Sequence, residues 1–131
     1  MVMAYALPTL IGAVLVVEDE PLLLMDAVDL MEDAGFTTYG ASNAAEAIVL
    51  LERHPEIRVM FTDIDMPGTM DGLMLAKAVR DRWPPVAIIV TSGHVRIRQQ
   101  DLPEGGVFFD KPYVPAHVLA EVRKMSAASP L

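Results

Sequence analysis

The sequence predicts an α/β domain: an open, parallel five-stranded sheet in the spatial order 2-1-3-4-5, with helices covering both faces. Three observations predict it. Apolar runs of strand length alternate along the chain with segments of helical period. The first, third and fourth runs are apolar throughout, as strands buried on both faces must be. The second run carries Thr37, Thr38 and Tyr39, and the fifth is short, so those two belong at the sheet edges.

"AVLVV" (13–17) is the first strand. Glu20-Pro21 opens a helix, because proline suits a first turn whose N–H would be unbonded anyway. Leu23, Ala27, Leu30, Met31 and Ala34 then recur at helical spacing until Gly35 stops them. "FTTYGA" is the second strand, and Asn43 with Glu46 three residues later forms a capping-box pattern for a helix ending before Pro55. "VMFT" (59–62) is the third strand. After the Met66-Pro67-Gly68 kink, Asp71 caps a helix with Leu73, Ala76 and Val79 on one face, and Pro84-Pro85 ends it. "VAIIV" (86–90) is the fourth strand. In "SGHVRIRQQDLPEGG", Gly93, Pro103 and Gly105-Gly106 bracket room for only one or two helical turns. "VFF" (107–109) is the fifth strand, and Pro115 starts a last helix with Val118, Leu119 and Val122 inward.

With 131 residues the chain is expected to build one core. Residues 12–126 form the domain, 1–11 a loose leader and 127–131 a short tail. The net charge of -8 argues against free DNA or RNA as a direct partner and suits a cation site or a basic protein partner. The absence of cysteine excludes disulfides, thiolate zinc sites and cysteine nucleophiles, and is compatible with the cytoplasm. The amino-terminal "MVMAYALPTLIGAVLVV" is apolar, but it lacks a basic flank and is interrupted by Pro8 and Gly12. It is read as leader plus strand, with no membrane span and no signal.

Chemistry gathers at the strand ends. The first strand runs into Glu18-Asp19, the third into Asp63, the fourth into Thr91-Ser92 and the fifth toward Lys111. Singly, each has a bland reading as a helix cap, a turn residue or a solvated charge. Together, at the carboxyl edge of a parallel sheet, they describe a ligand crevice. Three carboxylates in one crevice repel one another unless a cation intervenes. Hard oxygens without His or Cys favour Mg²⁺. Lys111 can balance phosphoryl charge and Thr91 can donate a hydrogen bond to it, so the set reads as phosphoryl transfer to a carboxylate.

These motifs, "VLVVEDE", "TDIDMPG…DG", "VTSG" and "DKPY", stand in an order and spacing that resembles the receiver domain of two-component response regulators over essentially the whole chain. The resemblance implies a flavodoxin-like (βα)5 three-layer sandwich that takes a phosphoryl group from a phosphohistidine. Carried over by position, it makes Asp63 the phosphoacceptor and Asp19 a direct Mg²⁺ ligand. Glu18 would help through water, and the backbone carbonyl of Asp65 would complete the metal contacts. Thr91 becomes the switch hydroxyl, Lys111 the phosphate-pairing amine and Phe108 the switch aromatic. The implied partners are a sensor histidine kinase or phosphotransfer protein, then a downstream protein target or a second copy meeting the face of residues 93–125. Such a domain catalyses only its own phosphorylation and dephosphorylation.

The chain departs from the commonest pattern in three places. The loop between Pro67 and Asp71-Gly72 has one residue more, Asp65 puts an acid two positions after the acceptor, and Phe108 lacks the hydroxyl of a tyrosine. Two rival readings are weaker. "FTDIDMP" also resembles the aspartate-x-aspartate signature of haloacid-dehalogenase-type phosphatases, with Asp65 as acid-base. However, Pro67 replaces the Thr or Val of that signature, and its further acidic pair is missing. A receiver-like module that is never phosphorylated is disfavoured because every expected residue type is present. No effector domain is expected after the last helix; a stand-alone regulator and a fragment of a hybrid kinase or larger regulator both remain open.

Overall fold

The computed structural model describes residues 12–66, 71–94 and 96–128. The expected leader and the longer loop after Pro67 lie outside these residues. Strands β1 (Ala13–Val17), β2 (Thr38–Ala41), β3 (Ile57–Asp63), β4 (Ala87–Ser92) and β5 (Val107–Asp110) form one sheet in the order β2-β1-β3-β4-β5. Every pairing is parallel. Helices α1 (Pro21–Asp33), α2 (Ala44–Arg53), α3 (Gly72–Arg82) and α4 (Pro115–Ala128) cover it. Among the described residues between β4 and β5 a single 3-10 turn forms, Gln99–Asp101, in keeping with the glycines and Pro103 of that segment.

Alternation along the strands splits the core into two layers. Leu15, Val17, Met60, Ile88 and Val90 pack on one face with Ala47 and Leu51 of α2 and Leu75, Ala76 and Val79 of α3. Val14, Val16, Val59, Phe61 and Ile89 pack on the other with Ala27 and Met31 of α1 and Val118 and Val122 of α4. Leu119 is partly buried in that second layer, as its spacing predicts.

The helix boundaries follow local chemistry. Pro21 starts α1, and Gly35, at φ 99°, takes the left-handed conformation that ends it. Asn43 Oδ1 accepts from the Glu46 N–H at 2.9 Å, and the Glu46 carboxylate accepts from Ser42 N–H at 2.7 Å. Asp71 Oδ1 accepts from Met74 N–H at 2.9 Å and caps α3.

Three details differ from the sequence expectation. α1 turns Leu24, Ala27, Val28 and Met31 to the sheet, while Leu23 is exposed and Leu30 sits on its flank. On α3 the inward leucine is Leu75, with Leu73 half-buried. Both shifts come from runs of large apolar residues, Leu22-Leu23-Leu24 and Leu73-Met74-Leu75, in which periodicity fixes a helix but not its rotation. β3 also extends from Ile57 to Asp63, because Ile57 pairs with Ala13 beyond a register shift between Ala13 and Val14.

Candidate functional site

The carboxyl ends of β1, β3, β4 and β5 bring the predicted residues together. Glu18 and Asp19 follow β1, Asp63 ends β3 opposite Thr91 of β4, and Lys111 follows β5. The Glu18, Asp19 and Asp63 carboxylates each offer an oxygen within 4.8 Å of the others. Asp63 and Glu18 are buried, while Asp19 is exposed at the rim.

Lys111 balances this acid cluster. Its ammonium donates to Asp63 Oδ2 at 3.1 Å and to Glu18 Oε1 at 3.2 Å. Burial pushes the Glu18 carboxyl above 4.5, helped by the Asp63 charge and opposed by the Glu20 N–H and Lys111. Burial also tends to discharge Lys111, but its bonds to Asp63 and Glu18 outweigh that and raise its pKa. The ammonium therefore stays charged and the pocket remains acidic. Three hard oxygen donors with neither His nor Cys among them fit Mg²⁺, which is coordinated by carboxylates and keeps several waters.

The second oxygen of Asp63 is held from the other side. Asp63 Oδ1 accepts from the Asp65 N–H at 3.0 Å. The Asp65 carboxylate itself turns to the end of β4. Its Oδ2 accepts from the Ser92 hydroxyl at 2.9 Å and the Gly93 N–H at 3.1 Å, with His94 Nδ1 at 3.2 Å. Burial would raise the Asp65 pKa, but the bonds from Ser92, His94 and Gly93 lower it overall. His94, and the contact of Ser92 with Asp65, are what sequence reading did not single out; the signal was a second acid after Asp63 facing a strand that ends in the hydroxyls of Thr91 and Ser92.

Thr91 is buried at the floor, and its hydroxyl donates to the Phe109 carbonyl at 2.8 Å. Phe108, paired with Val90, is half-buried against the α2–α3 layer. Beside the acids opens an apolar cleft of about 500 Å³, walled by Leu23, Ala27 and Leu30 of α1 and by Pro112, Tyr113 and Pro115. Leu23 and Leu30, which helical spacing alone would bury, form that wall.

This sheet order and this crevice of acids, hydroxyl and lysine define a phosphoacceptor signalling domain, and the chain belongs to the response regulator receiver domain family, whose model matches residues 14–123. Its fold is the flavodoxin-like receiver fold. It is 37% identical over 124 residues to the hydrogenase transcriptional regulatory protein HoxA of Cupriavidus necator, covering 92% of this chain and 25% of that protein. It is 29% identical over 118 residues to the sensor kinase CckA of Brucella abortus, covering 87% of this chain and 12% of the kinase. The chain thus spans a quarter or less of the length of these relatives. Among solved structures, a response regulator receiver protein from Sinorhizobium medicae superposes with a TM-score of 0.83 at 27% identity, over 92% of this chain and 98% of that one. One from Pseudomonas putida gives 0.78 at 30% identity, over 86% and 96%. Among the described residues, no helix is long and apolar enough to cross a membrane.

Proposed function

We propose that this domain, residues 12–126, accepts a phosphoryl group on Asp63 from the phosphohistidine of a sensor histidine kinase or phosphotransfer protein, with Mg²⁺ as its metal. The observation that carries the reading is the Asp63 carboxylate held between the Lys111 ammonium and the Asp65 N–H, with Glu18 and Asp19 alongside. Asp19 and Asp63 would hold the metal directly, Glu18 through water, and Asp65 through its backbone carbonyl. Bound there, Mg²⁺ neutralises charge between the carboxylates and the incoming phosphoryl oxygens.

In the transfer, an Asp63 oxygen forms the bond to phosphorus as the phosphorus–nitrogen bond to the donor imidazole breaks, and the imidazole leaves with the electron pair. Lys111 pairs with the phosphoryl oxygens, and the rigid strand ends keep the acceptor in line. No side chain needs to remove a proton from Asp63, which enters as the carboxylate. The domain in this sense catalyses only its own phosphorylation and its later hydrolysis.

The partner docks over the apolar cleft. Leu23 of α1 lines it, and Leu22 and Met25 of α1 and Val114 before α4 are further large apolar side chains left in solvent. A helical phosphotransfer domain laid there brings its histidine to Asp63, and interaction rather than folding explains why α1 keeps so many exposed leucines. Output follows from Thr91. Turning its hydroxyl from the Phe109 carbonyl to the phosphoryl oxygens pulls on the segment after β4, which contains a single helical turn, and lets Phe108 repack. The face of residues 93–125 then meets a downstream protein or a second copy, in the cytoplasm and away from nucleic acid and membrane.

The test is incubation with a small phosphodonor and Mg²⁺, followed by intact mass. One phosphoryl group should appear in the wild-type chain and none in Asp63→Asn; equal labelling of the variant would sink the assignment. Steady release of phosphate from phosphomonoesters would instead support the phosphatase reading.

A further inference from the structure

We infer that Ser92 is a positioning residue for the phosphoacceptor, acting through the Asp65 carboxylate, with His94 as an outer support. This inference rests on the phosphoacceptor reading of Asp63. It is carried by a continuous chain of bonds. The Ser92 hydroxyl, the Gly93 N–H and His94 Nδ1 all converge on one oxygen, Asp65 Oδ2, at 2.9, 3.1 and 3.2 Å. The backbone of that same residue donates to Asp63 Oδ1 at 3.0 Å.

The geometry explains why a residue outside the acid cluster matters. The Asp63 carboxylate can rotate, and two contacts fix its plane: Lys111 on Oδ2 and the Asp65 N–H on Oδ1. The N–H can hold that position only while Asp65 itself is held, and Asp65 lies past the end of β3, one residue beyond the bond from the Ile64 N–H to the Thr91 carbonyl at 2.9 Å. Its anchor is the side chain, pinned to the end of the neighbouring strand β4. The pin also turns the Asp65 charge away from the acceptor, where a second carboxylate would repel incoming phosphoryl oxygens. A non-acidic residue at position 65 would escape the repulsion but forgo the anchor.

The three donors are unequal. Ser92 is 1% exposed and its bond is the shortest, so little water competes for it. The His94 side chain is 85% exposed, so its contact with Asp65 is screened and weak. Ser92→Ala should therefore disturb the acceptor far more than His94→Ala. Gly93 contributes through its backbone and is not changed by side-chain substitution.

The experiment has two readouts. In the metal-free protein, amide hydrogen exchange at Asp65 should quicken roughly tenfold in Ser92→Ala, the loss expected for one hydrogen bond to a charged group. With a small phosphodonor and Mg²⁺, Ser92→Ala and Asp65→Ala should each slow phosphorylation by a similar factor. The double variant should be no slower than Asp65→Ala, since Ser92 acts only through that carboxylate. Unchanged exchange at Asp65 in Ser92→Ala, or additive losses in the double variant, would overturn the inference. Failure of the wild-type chain to take a phosphoryl group would instead strike the phosphoacceptor reading and leave the exchange result standing.

Discussion

Gly72 touches no phosphate, yet replacing it with alanine should damage phosphorylation. It is the first residue of α3, and its N–H donates to the Ile64 carbonyl at 3.3 Å, so the helix begins against the backbone that carries Asp63, the proposed acceptor. A Cβ at this position would fall inside the contact radius of the Asp63 carbonyl oxygen, 2.7 Å from the Asp63 carbonyl carbon and 2.8 Å from Ile64 Cα. These are backbone atoms at the end of a central strand and cannot swing aside as a side chain would. The whole β3 end or the whole start of α3 must move. Overpacking of this kind costs about 1–3 kcal/mol, and for a domain of this size that lowers the melting temperature by roughly 3–15 °C. The displaced atoms belong to Asp63, so the loss of phosphorylation should exceed what the lost stability explains at a temperature where the variant is folded. Gly93→Ala is the control: its Cβ would meet Lys111 Cβ at 3.5 Å, an ordinary contact. Thermal unfolding by circular dichroism and the initial rate of labelling by a small phosphodonor measure both effects. A Gly72→Ala protein that melts and labels like Gly93→Ala would refute the close-approach argument.

Four further outcomes are expected. Asp19→Ala should weaken Mg²⁺ binding much more than Glu18→Ala, because Glu18 already spends its oxygens on Lys111 and the Glu20 N–H; calorimetric titration giving equal losses would contradict this. Since burial raises the Glu18 carboxyl above the ordinary glutamate range, it takes up a proton earlier on acidification, and Mg²⁺ affinity should fall with decreasing pH more in the wild type than in Glu18→Gln. Leu23→Asp should cut phosphotransfer from a kinase while leaving labelling by a small phosphodonor intact, and equal loss with both donors would remove α1 from the docking surface. In the complex with Mg²⁺ and beryllofluoride, amide shifts should concentrate at residues 91–110. Shifts confined to the metal-binding loops would mean output through another face.

Much of the fold was legible because its signals are redundant. Continuous apolar runs at residues 13–17, 59–62 and 86–90 can only be central parallel strands once helical segments separate them. The polar residue ending each run then marks the crevice, which is why Glu18, Asp19, Asp63, Thr91 and Lys111 were found from spacing and do lie together. Helix rotation was less legible. Leu22, Leu23 and Leu24 are chemically equivalent in a row, and only the sheet decides that Leu24 faces inward and Leu23 lines the cleft. The Ser92–Asp65 contact was illegible for a different reason. It joins a loop residue to a strand end across 27 positions, and either residue alone reads as ordinary turn chemistry. The Thr91 hydroxyl was expected near the acceptor; its bond to the Phe109 carbonyl shows a side chain still turned to β5, a state that sequence does not specify.

The most direct test of the central claim is to locate the modified residue chemically. After treatment with a small phosphodonor and Mg²⁺, borohydride reduction converts an aspartyl phosphate to homoserine, and tandem mass spectrometry of the peptide spanning residues 59–77 gives its position. The account predicts homoserine at position 63 only, dependent on both the phosphodonor and Mg²⁺, with Asp65 unmodified. Homoserine at position 65, or reduction products that form equally without Mg²⁺, would contradict it.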